Sequence, residues 1–422
     1  MQVMKWSVMA LAVAAGTTQL AMASAQSESK GFVEDSSLNV LNRNLYFNRD
    51  FRDAPQGSQS KREEWGHGLI GTFESGFTQG TVGFGVDAFG MVGLKLDSGR
   101  GRVGTGALQG GTYEESKAND DYSKAGGAVK LRVSNTVLKY GEQFVALPVL
   151  ATDDSRLLPE TAEGFLLTSS EIEGLELNAG RFTAGKGQAD VQHDSLGITK
   201  IDLIGGTYKI TDDLGASAYY AKTQDAFRKY YGNLNYNLPI TDEQAVALDF
   251  NVYDTKSRGN GTFAWDGDKI DNTIWSLSAA YSLGAHTFTL AHQRNHGDGA
   301  YLYGDAGQDF GGTIFLANSV QRSDFNEEGE KSWQARYDLN MAQFGVPGLS
   351  FMTRYVKGYD AKTDGNAGES KEWERNVEAR YVFQDGPAKD LSLRVRQATY
   401  RANYRNDIDE VRVIVQYPLS IL

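Results

Sequence analysis

The stretch that decides the fold is "DLSLRVRQATYR", residues 390–401, in which apolar and polar side chains alternate. Leu393 and Val395 alternate there with Arg394 and Arg396. Successive side chains of a strand point to opposite faces, so one face is apolar and the other carries two guanidinium groups. In a soluble protein the apolar face would pack in a core, whereas in a membrane barrel it would meet lipid while the arginines face a lumen.

The same alternation recurs in five further stretches, residues 245–253, 273–284, 332–341, 374–383 and 409–417. Helical periodicity is nearly absent, and no repeat of about 20–50 residues suggests a propeller or solenoid. At roughly 20–24 residues per strand and loop, the chain predicts about 16–20 strands in one domain. An arginine that faces lipid at mid-depth costs roughly 2–4 kcal/mol, so the arginines of the opening stretch are predicted to face the lumen of a transmembrane antiparallel β-barrel.

The composition excludes several classes of function. The chain has 422 residues, a formal net charge of −12 and no cysteine. Nucleic-acid binding needs a basic surface, so no nucleic-acid partner is expected. The lack of cysteine excludes a disulfide scaffold and thiolate metal sites. Because neither a G-x-S-x-G motif nor a phosphate-binding loop occurs, we expect no enzyme activity and no cofactor. His292 and His296 are four residues apart, but no glutamate lies between them and they belong to a predicted strand, so we expect no metal.

The N-terminus has the pattern of a secretory signal peptide. Lys5 precedes the apolar run 6–16, and Ala23 and Ala25 complete an A-x-A cleavage site. We therefore predict that residues 1–25 are removed and that 26–422 form a single barrel. No later apolar run reaches the roughly 18 residues that a transmembrane helix needs.

Residues 141–172 interrupt the alternation. They contain two prolines and several acidic residues, and a loop this long without secondary structure is usually functional. In a barrel such a loop can fold inward and narrow the lumen, and Asp153, Asp154 and Glu160 would then belong to the constriction. The alternative is an ordinary extracellular loop.

Several blocks of the chain closely resemble the OprD family of Pseudomonas outer-membrane porins. They include "GFVEDSSLNVLNRNLYFNRDFRD" (31–53), "FESGFTQGTVGFGVDAFG" (73–90), "AGGAVKLRVSNTVLKYGE" (125–142), "SRLLPETAEGF" (155–165) and "YPLSIL" (417–422). The resemblance covers essentially all of the predicted mature chain. It implies an 18-stranded outer-membrane barrel with an inward-folded third loop, selective for small water-soluble carboxylates, with a homotrimer as one possible assembly.

The family also implies a ladder of basic side chains along the lumen. Arginine stays charged and offers a planar fork that matches a carboxylate, so a row of arginines would let an anion step along the wall. The alternative is that each arginine merely pairs with a luminal acid such as Glu378 or Glu410. Matching blocks place the ladder on Arg49, Arg62, Arg156, Arg380, Arg394, Arg396 and Arg412.

In the basic-amino-acid branch of the family, an acidic pocket lined by tyrosine lies opposite the ladder. The matching positions here are Tyr303, Ser319, Arg322 and Asp324. Arg322 replaces a tyrosine of that branch, and Gly312 replaces an aspartate. Both departures make the surroundings of the pocket less negative. They therefore favour carboxylates without a cationic group, such as benzoate-like aromatic acids.

Three alternatives remain at this point: a basic-amino-acid or peptide-type porin, a barrel hydrolase, and a soluble secreted β-protein. Apart from small carboxylates, the expected partners are outer-membrane lipid and lipopolysaccharide.

Overall fold

The computed structural model describes residues 24–110, 116–198, 200–258, 269–303, 314–363 and 366–422. The predicted signal peptide, residues 1–25, lies almost entirely outside the described residues and stays a prediction, as does the departure at Gly312.

Eighteen antiparallel strands form one closed sheet, in which the last strand pairs with the first. A two-residue hairpin, β6 and β7, lies inside the loop that follows β5. The strands are β1 (Ser37–Phe51), β2 (Lys61–Glu74), β3 (Val82–Asp97), β4 (Asp121–Val133), β5 (Thr136–Gln143), β6 (Ala146–Leu147), β7 (Leu150–Ala151), β8 (Thr161–Ile172), β9 (Leu175–Lys186), β10 (Ile201–Lys209), β11 (Leu214–Thr223), β12 (Phe227–Thr241), β13 (Gln244–Ser257), β14 (Asp271–Leu283), β15 (His286–Asp298), β16 (Lys331–Asn340), β17 (Leu349–Thr363), β18 (Asn366–Val382), β19 (Ser392–Ala402) and β20 (Ile408–Ser420).

The predicted barrel of about 18 strands is therefore confirmed. Within the described ranges the only helical element is the short 3-10 turn Met341–Phe344. The described part of the chain contains no helix with the length and apolar character needed to cross a membrane.

The two faces of the barrel wall differ as the alternation predicts. On β19, Leu393 and Val395 are 40% and 46% exposed on the outside, whereas the side chains of Arg394 and Arg396 are 24% and 19% exposed on the inside. Trp333 on β16 is likewise exposed outside while Ser332 is fully buried inside. The outer surface is thus an apolar band, and the polar positions line the lumen.

The two ends of the barrel also differ. Turns such as 134–135, 173–174 and 242–243 are short, and they lie at the end that carries both chain termini. Long loops lie at the other end, which is the extracellular end in barrels of this kind. We call four of them L2 (98–120), L3 (144–160), L4 (187–200) and L7 (299–330).

The predicted constriction segment 141–172 was too long at both ends. Residues 141–143 complete β5, and Thr161–Ile172 form β8, so L3 comprises only 144–160. Alternation fails in β8 because Phe165, Leu166 and Leu167 are all apolar. Leu166 packs against a hydrophobic cluster inside the barrel, so both faces of this strand are apolar.

L3 lies inside the barrel and packs against two opposite walls. Its first half, including Val145, Leu147 and Leu150, belongs to a cluster with the strands around β11–β14. Leu157 and Leu158, near its other end, are fully buried in a second cluster, which is built on β1–β4 and L2. Corresponding strands of the two groups, such as β1 and β11, are eight positions apart around the ring of eighteen, so L3 crosses the lumen, as the inward-folded loop predicted.

Candidate functional site

Arg43, on the inner face of β1, fixes the position of L3 on one wall. Its Nη1 and Nη2 donate to the two carboxylate oxygens of Asp154 at 2.6 and 2.8 Å. The Nη1 also donates to the backbone oxygen of Arg156 at 2.9 Å. The sequence analysis did not identify Arg43, although "NVLNRNLYF" places it on the same strand face as the buried Leu45 and Phe47.

Two glycines of β2 provide the space that L3 occupies. A Cβ at Gly66 would lie 2.6 Å from Cδ2 of Leu157, and one at Gly68 would lie 3.1 Å from the backbone oxygen of the same residue. Any side chain at these positions would push the loop away from the wall. The close approach of L3 therefore depends on glycine in β2.

Lys124, on the inner face of β4, holds L3 and L4 together. Its Nζ donates to the backbone oxygens of Pro159 at 2.7 Å, Gly187 at 2.8 Å and Gln188 at 3.1 Å. The side chain is only 4% exposed, so its three donors are used entirely by the ends of the two loops.

The three acidic residues predicted for the constriction are largely engaged within L3. Asp154 pairs with Arg43. Glu160 is buried and accepts the backbone N–H of Asp153 at 2.8 Å. The carboxylate of Asp153 accepts both the backbone N–H and the hydroxyl of Ser155. These carboxylates therefore shape the loop more than they present free negative charge to a solute.

Three of the seven predicted ladder arginines converge on one phenyl ring. Their Cζ atoms lie 5.2 Å (Arg49), 5.3 Å (Arg156) and 4.2 Å (Arg412) from the centre of the buried Phe47 ring. Burial, and next the positive charge of Arg412, lower the pKa of Arg156 to about 10, which leaves this loop guanidinium charged at neutral pH. Three positive charges thus meet where L3 touches β1 and β20.

Two carboxylates each serve a pair of ladder arginines. Glu410 accepts from Arg49 at 2.7 Å and from Arg412 at 2.7 Å. Glu378 lies 2.7 Å from Arg394 and 3.2 Å from Arg396. These four arginines therefore do pair with the two luminal acids of the alternative, but each acid serves two arginines, so each pair keeps one excess positive charge.

The remaining predicted ladder residues bind uncharged groups. Arg62 donates to the backbone oxygen of Gly104 at 3.0 Å, and Arg156 donates to that of Thr105 at 2.9 Å. Arg380 is exposed and donates to the hydroxyl of Ser392 at 3.2 Å. Within the described residues, no carboxylate forms an ion pair with any of these three arginines.

The structure adds two inward arginines to those predicted for the ladder, Arg354 and Arg336. Arg354 on β17 is 9% exposed and donates to the side-chain oxygen of Asn376 at 2.6 Å. Its register partner is Arg336 on β16, which pairs with Asp338. Alternation applied to "LSFMTRYVK" would have placed Arg354 on the inner face, but the apolar Met352 and Val356 on that face obscure the pattern.

The pocket predicted opposite the ladder is formed by L7. Tyr303 packs against the hydrophobic cluster on the β11–β14 side, whereas Arg322 lies beside the ladder. Tyr303 and Ser319 both donate hydrogen bonds to the carboxylate of Asp324, so these three residues come together as predicted. The Arg322 guanidinium lies 5.5 Å from the ring centre of Tyr400 on β19, and its backbone N–H donates to Glu374 on β18. The placement of Arg322 opposite the ladder was thus wrong, because L7 folds inward over β18–β20.

Electrostatics confirm that Arg322 is close to both the ladder and the pocket. Burial and the nearby charge of Arg49 lower the pKa of Arg322. Burial raises the pKa of Asp324, although the hydrogen bonds from Ser319 and Tyr303 and the charge of Arg322 act in the opposite direction. Arg322 therefore extends the positive strip instead of facing it from across the lumen.

Known proteins share this sequence and architecture. The family model for "outer membrane porin, OprD family" matches residues 30–421. Porin D of Pseudomonas aeruginosa is 52% identical, with full coverage of both chains, and the porin-like protein GalP of Pseudomonas putida is 34% identical over 94% of this chain and 95% of that protein. The solved structure of Pseudomonas aeruginosa OccK9 (OpdG) has a TM-score of 0.86 and 36% identity, covering 93% of this chain and 100% of that one.

A closed, lipid-facing barrel with a polar lumen narrowed by inward loops defines an outer-membrane porin, a protein of the bacterial outer membrane that is not an enzyme. Its family follows from the matches above: the chain belongs to the OprD family of porins and allows selective diffusion of small solutes.

Proposed function

We propose that the solutes are small carboxylates and that they cross passively along the arginine strip. The observation that carries this proposal is an imbalance of charge on one wall of the lumen. Ion pairs connect the strip to only two carboxylates of the described chain, Glu378 and Glu410. The strip itself consists of Arg49, Arg62, Arg156, Arg322, Arg354, Arg380, Arg394, Arg396 and Arg412.

The interaction energies expected between a carboxylate and the strip suit transport better than tight binding. A carboxylate about 4 Å from one guanidinium gains on the order of 4 kcal/mol at an effective dielectric constant of 20, and desolvation cancels part of that gain. Glu378 and Glu410 each weaken the attraction of an arginine pair. A carboxylate therefore meets several sites of similar, moderate depth, which favours stepwise movement toward the periplasm.

The accessible members of the strip are the ones that would contact a solute. Arg380 is exposed, and Arg62, Arg156, Arg394 and Arg396 are partly exposed. Arg412 is covered by L7, since its Nη2 donates to the backbone oxygen of Gln321 at 3.2 Å, and Arg354 is similarly buried. We assign these two a supporting role: they contribute positive potential without direct contact.

Within this class we favour carboxylates that carry no cationic group, such as benzoate. Arg322 places an additional positive charge beside Asp324, at the point where an ammonium or guanidinium group of a solute would need a free carboxylate.

A second candidate, uptake of basic amino acids, is favoured by a group of acids around L7. Asp324 lies near Glu372, and the backbone N–H of the preceding Ser323 donates to Glu374; both glutamates are 0–2% exposed. Any of them that stays ionised would attract a solute cation. The protein's assembly as a homotrimer also stays a prediction.

Uptake of three solutes with the same ring and different charges tests the proposal. Purified protein in liposomes is supplied separately with labelled benzoate, benzyl alcohol and benzylamine. We expect saturable benzoate uptake that exceeds the uptake of both others at equal concentration. Faster benzylamine uptake would contradict the carboxylate proposal, and equal rates for all three would mean an unselective pore.

The Arg322→Tyr variant then separates the two candidate substrate classes. If Arg322 disfavours cationic groups, the variant should gain arginine uptake relative to benzoate uptake by several-fold, since one positive charge is removed next to Asp324. Arg228→Gln, which changes an arginine on the outer wall, is the matched control. An unchanged ratio of arginine to benzoate uptake would remove Arg322 from the specificity argument.

A further inference from the structure

A row of three cations lies on the outer wall of the barrel, at the extracellular ends of β11, β12 and β13. Lys222 is the register partner of Arg228, and Arg228 is the register partner of Lys256. Neighbouring strands are about 4.8 Å apart, so the three residues lie within about 10 Å along the row. Because like charges directly opposite one another on a sheet are destabilising, this row requires a counter-charge.

The acids nearest to the row supply only part of that counter-charge. Asp202 is the register partner of Lys222, but it pairs with Arg181 at 2.5 Å. On the other side Asp271 pairs with Lys256. Among the residues that the structure describes, neither Lys222 nor Arg228 forms an ion pair, and Nε of Arg228 is buried without a hydrogen-bond partner.

Two further acids lie near the row: Asp225, in the turn that joins β11 to β12, and Asp254, which is one row closer to the membrane centre. Asp254 is the register partner of Tyr230 and accepts a hydrogen bond from the hydroxyl of Thr273 at 3.0 Å. Its charge lies diagonally from Arg228 and offsets one positive charge at most. Asp225 and Asp254 therefore offset part of the charge of the row, but among the described residues neither forms an ion pair with Lys222 or Arg228.

The aromatic residues beneath the row indicate its depth in the membrane. Tyr220 and Tyr230 also face outward. They lie one row closer to the membrane centre than the cations, and their ring centres are 4.9 Å apart. The outer wall then continues toward the periplasm with apolar side chains such as Leu234, which is 49% exposed. Tyrosines of this kind mark the boundary between hydrocarbon and headgroups, so the cations lie at the level of the outer-leaflet headgroups.

We propose that Lys222, Arg228 and Lys256 form a binding site for the phosphate groups of a phosphorylated glycolipid in the outer leaflet. The guanidinium fork and the two ammonium groups match phosphate oxygens, and the exposed apolar wall below them accommodates the acyl chains. A lipid is favoured over free phosphate because the acyl chains and the phosphate can be bound at once. The sequence analysis expected a lipid partner without locating it, and this proposal places the lipid at the extracellular ends of β11–β13.

Binding of diphosphorylated lipid A to the purified full-length protein tests the site. Native mass spectrometry compares wild type with Lys222→Gln/Arg228→Gln, at increasing lipid A in detergent micelles. Removing two cations from an anionic lipid surface should weaken binding about ten- to thirtyfold. Dephosphorylated lipid A and inorganic phosphate serve as ligand controls, and Lys209→Gln removes a lysine at the periplasmic end of β10 instead.

The proposal predicts that the double variant loses binding of the phosphorylated lipid only, that inorganic phosphate does not compete, and that Lys209→Gln binds as wild type does. Equal binding of the phosphorylated and dephosphorylated lipids by wild type would overturn it, as would an unchanged double variant. Arg228→Lys keeps the charge and serves as a control for a folding defect. It should retain most of the lipid A binding. A loss equal to that of the double variant would contradict a site based on charge.

Discussion

Two opposite walls of the lumen are built from the same kind of strand but serve different purposes. We call the inner face of β18–β20, β1 and β2 the ladder wall, and the inner face of β11–β13 the tyrosine wall. Tyr219, Tyr231 and Tyr253 on the tyrosine wall are 0–6% exposed, whereas Arg380, Arg394 and Arg396 on the ladder wall reach solvent.

The hydroxyl groups of the tyrosine wall are already used within the protein. Tyr219 donates to Asn178 at 2.8 Å, Tyr231 donates to Asn251 at 2.7 Å, and Tyr253 donates to the backbone oxygen of Pro148 in L3 at 3.0 Å. The tyrosine wall is therefore a hydrophobic core against which L3 packs. The comparison teaches that the tyrosine wall serves only to support the constriction, whereas the ladder wall holds L3 at β1 and β2 and also exposes arginines on β18 and β19 to solutes.

The largest effect is expected from neutralising accessible arginines of the strip, two on the ladder wall and one on L3. In Arg156→Gln/Arg394→Gln/Arg396→Gln, benzoate uptake into liposomes should fall about tenfold or more, because three attractive charges are lost and Glu378 becomes an uncompensated negative charge. Tyr231→Phe on the tyrosine wall is the control and should leave the rate unchanged. Comparable losses in both variants would mean that the two walls do not differ in this way.

The next effect concerns how firmly L3 is held. Lys124→Met leaves the backbone oxygens of Pro159, Gly187 and Gln188 without their donor, and each buried unsatisfied group costs about 1–3 kcal/mol. Hydrogen exchange should therefore become faster in 144–160, with larger current fluctuations in single-channel recordings. Lys139→Met, on β5, should alter neither measurement. Unchanged exchange in L3 would show that Lys124 does not hold the loop.

A smaller effect is expected when the excess charge of one arginine pair is increased. Glu378→Gln removes the carboxylate that Arg394 and Arg396 share, so this site should bind a carboxylate more tightly. If the free energy of benzoate binding becomes about 1 kcal/mol more favourable, the half-saturating benzoate concentration falls about fivefold. The maximal uptake rate also falls, because benzoate leaves the site more slowly. Concentration-dependent uptake measures both quantities. An increase in the half-saturating concentration would contradict the description of the ladder as a row of shallow sites.

The smallest effect is a dependence on pH through Asp324. Its pKa is raised by burial, so it is protonated, and loses its negative charge, at a higher pH than an ordinary aspartate would be. As the pH falls through that raised pKa, the potential beside Arg322 becomes more positive, and uptake of a still-ionised carboxylate should rise slightly. Asp324→Asn should show less of this rise. An identical pH profile in the variant would assign the change to other groups.

Much of the barrel could be predicted from the sequence because its strands carry a local signal. Arg394 and Arg396 were placed in the lumen from alternation with Leu393 and Val395 alone, and the exposed and inward faces of β19 agree with that placement. The signal is absent where the inner face is itself apolar. Leu166 in β8 and Met352 in β17 obscured the pattern, so β8 was included in the loop and Arg354 was not identified.

The arrangement of the loops could not be predicted, because it depends on contacts between distant parts of the chain. Arg43 and Asp154 are separated by 111 residues, and nothing in either local sequence identifies the other as its partner. Arg322 illustrates the same limit: its residue type was informative, but only the inward fold of L7 shows that it lies beside the ladder wall.

The central claim is that the ladder wall carries carboxylates, and the most direct test is the zero-current potential across a bilayer that contains the wild-type protein in a potassium benzoate gradient. Our account predicts a potential displaced toward the equilibrium potential of benzoate, because the excess arginines favour the anion over potassium. A potential displaced toward the equilibrium potential of potassium would contradict it.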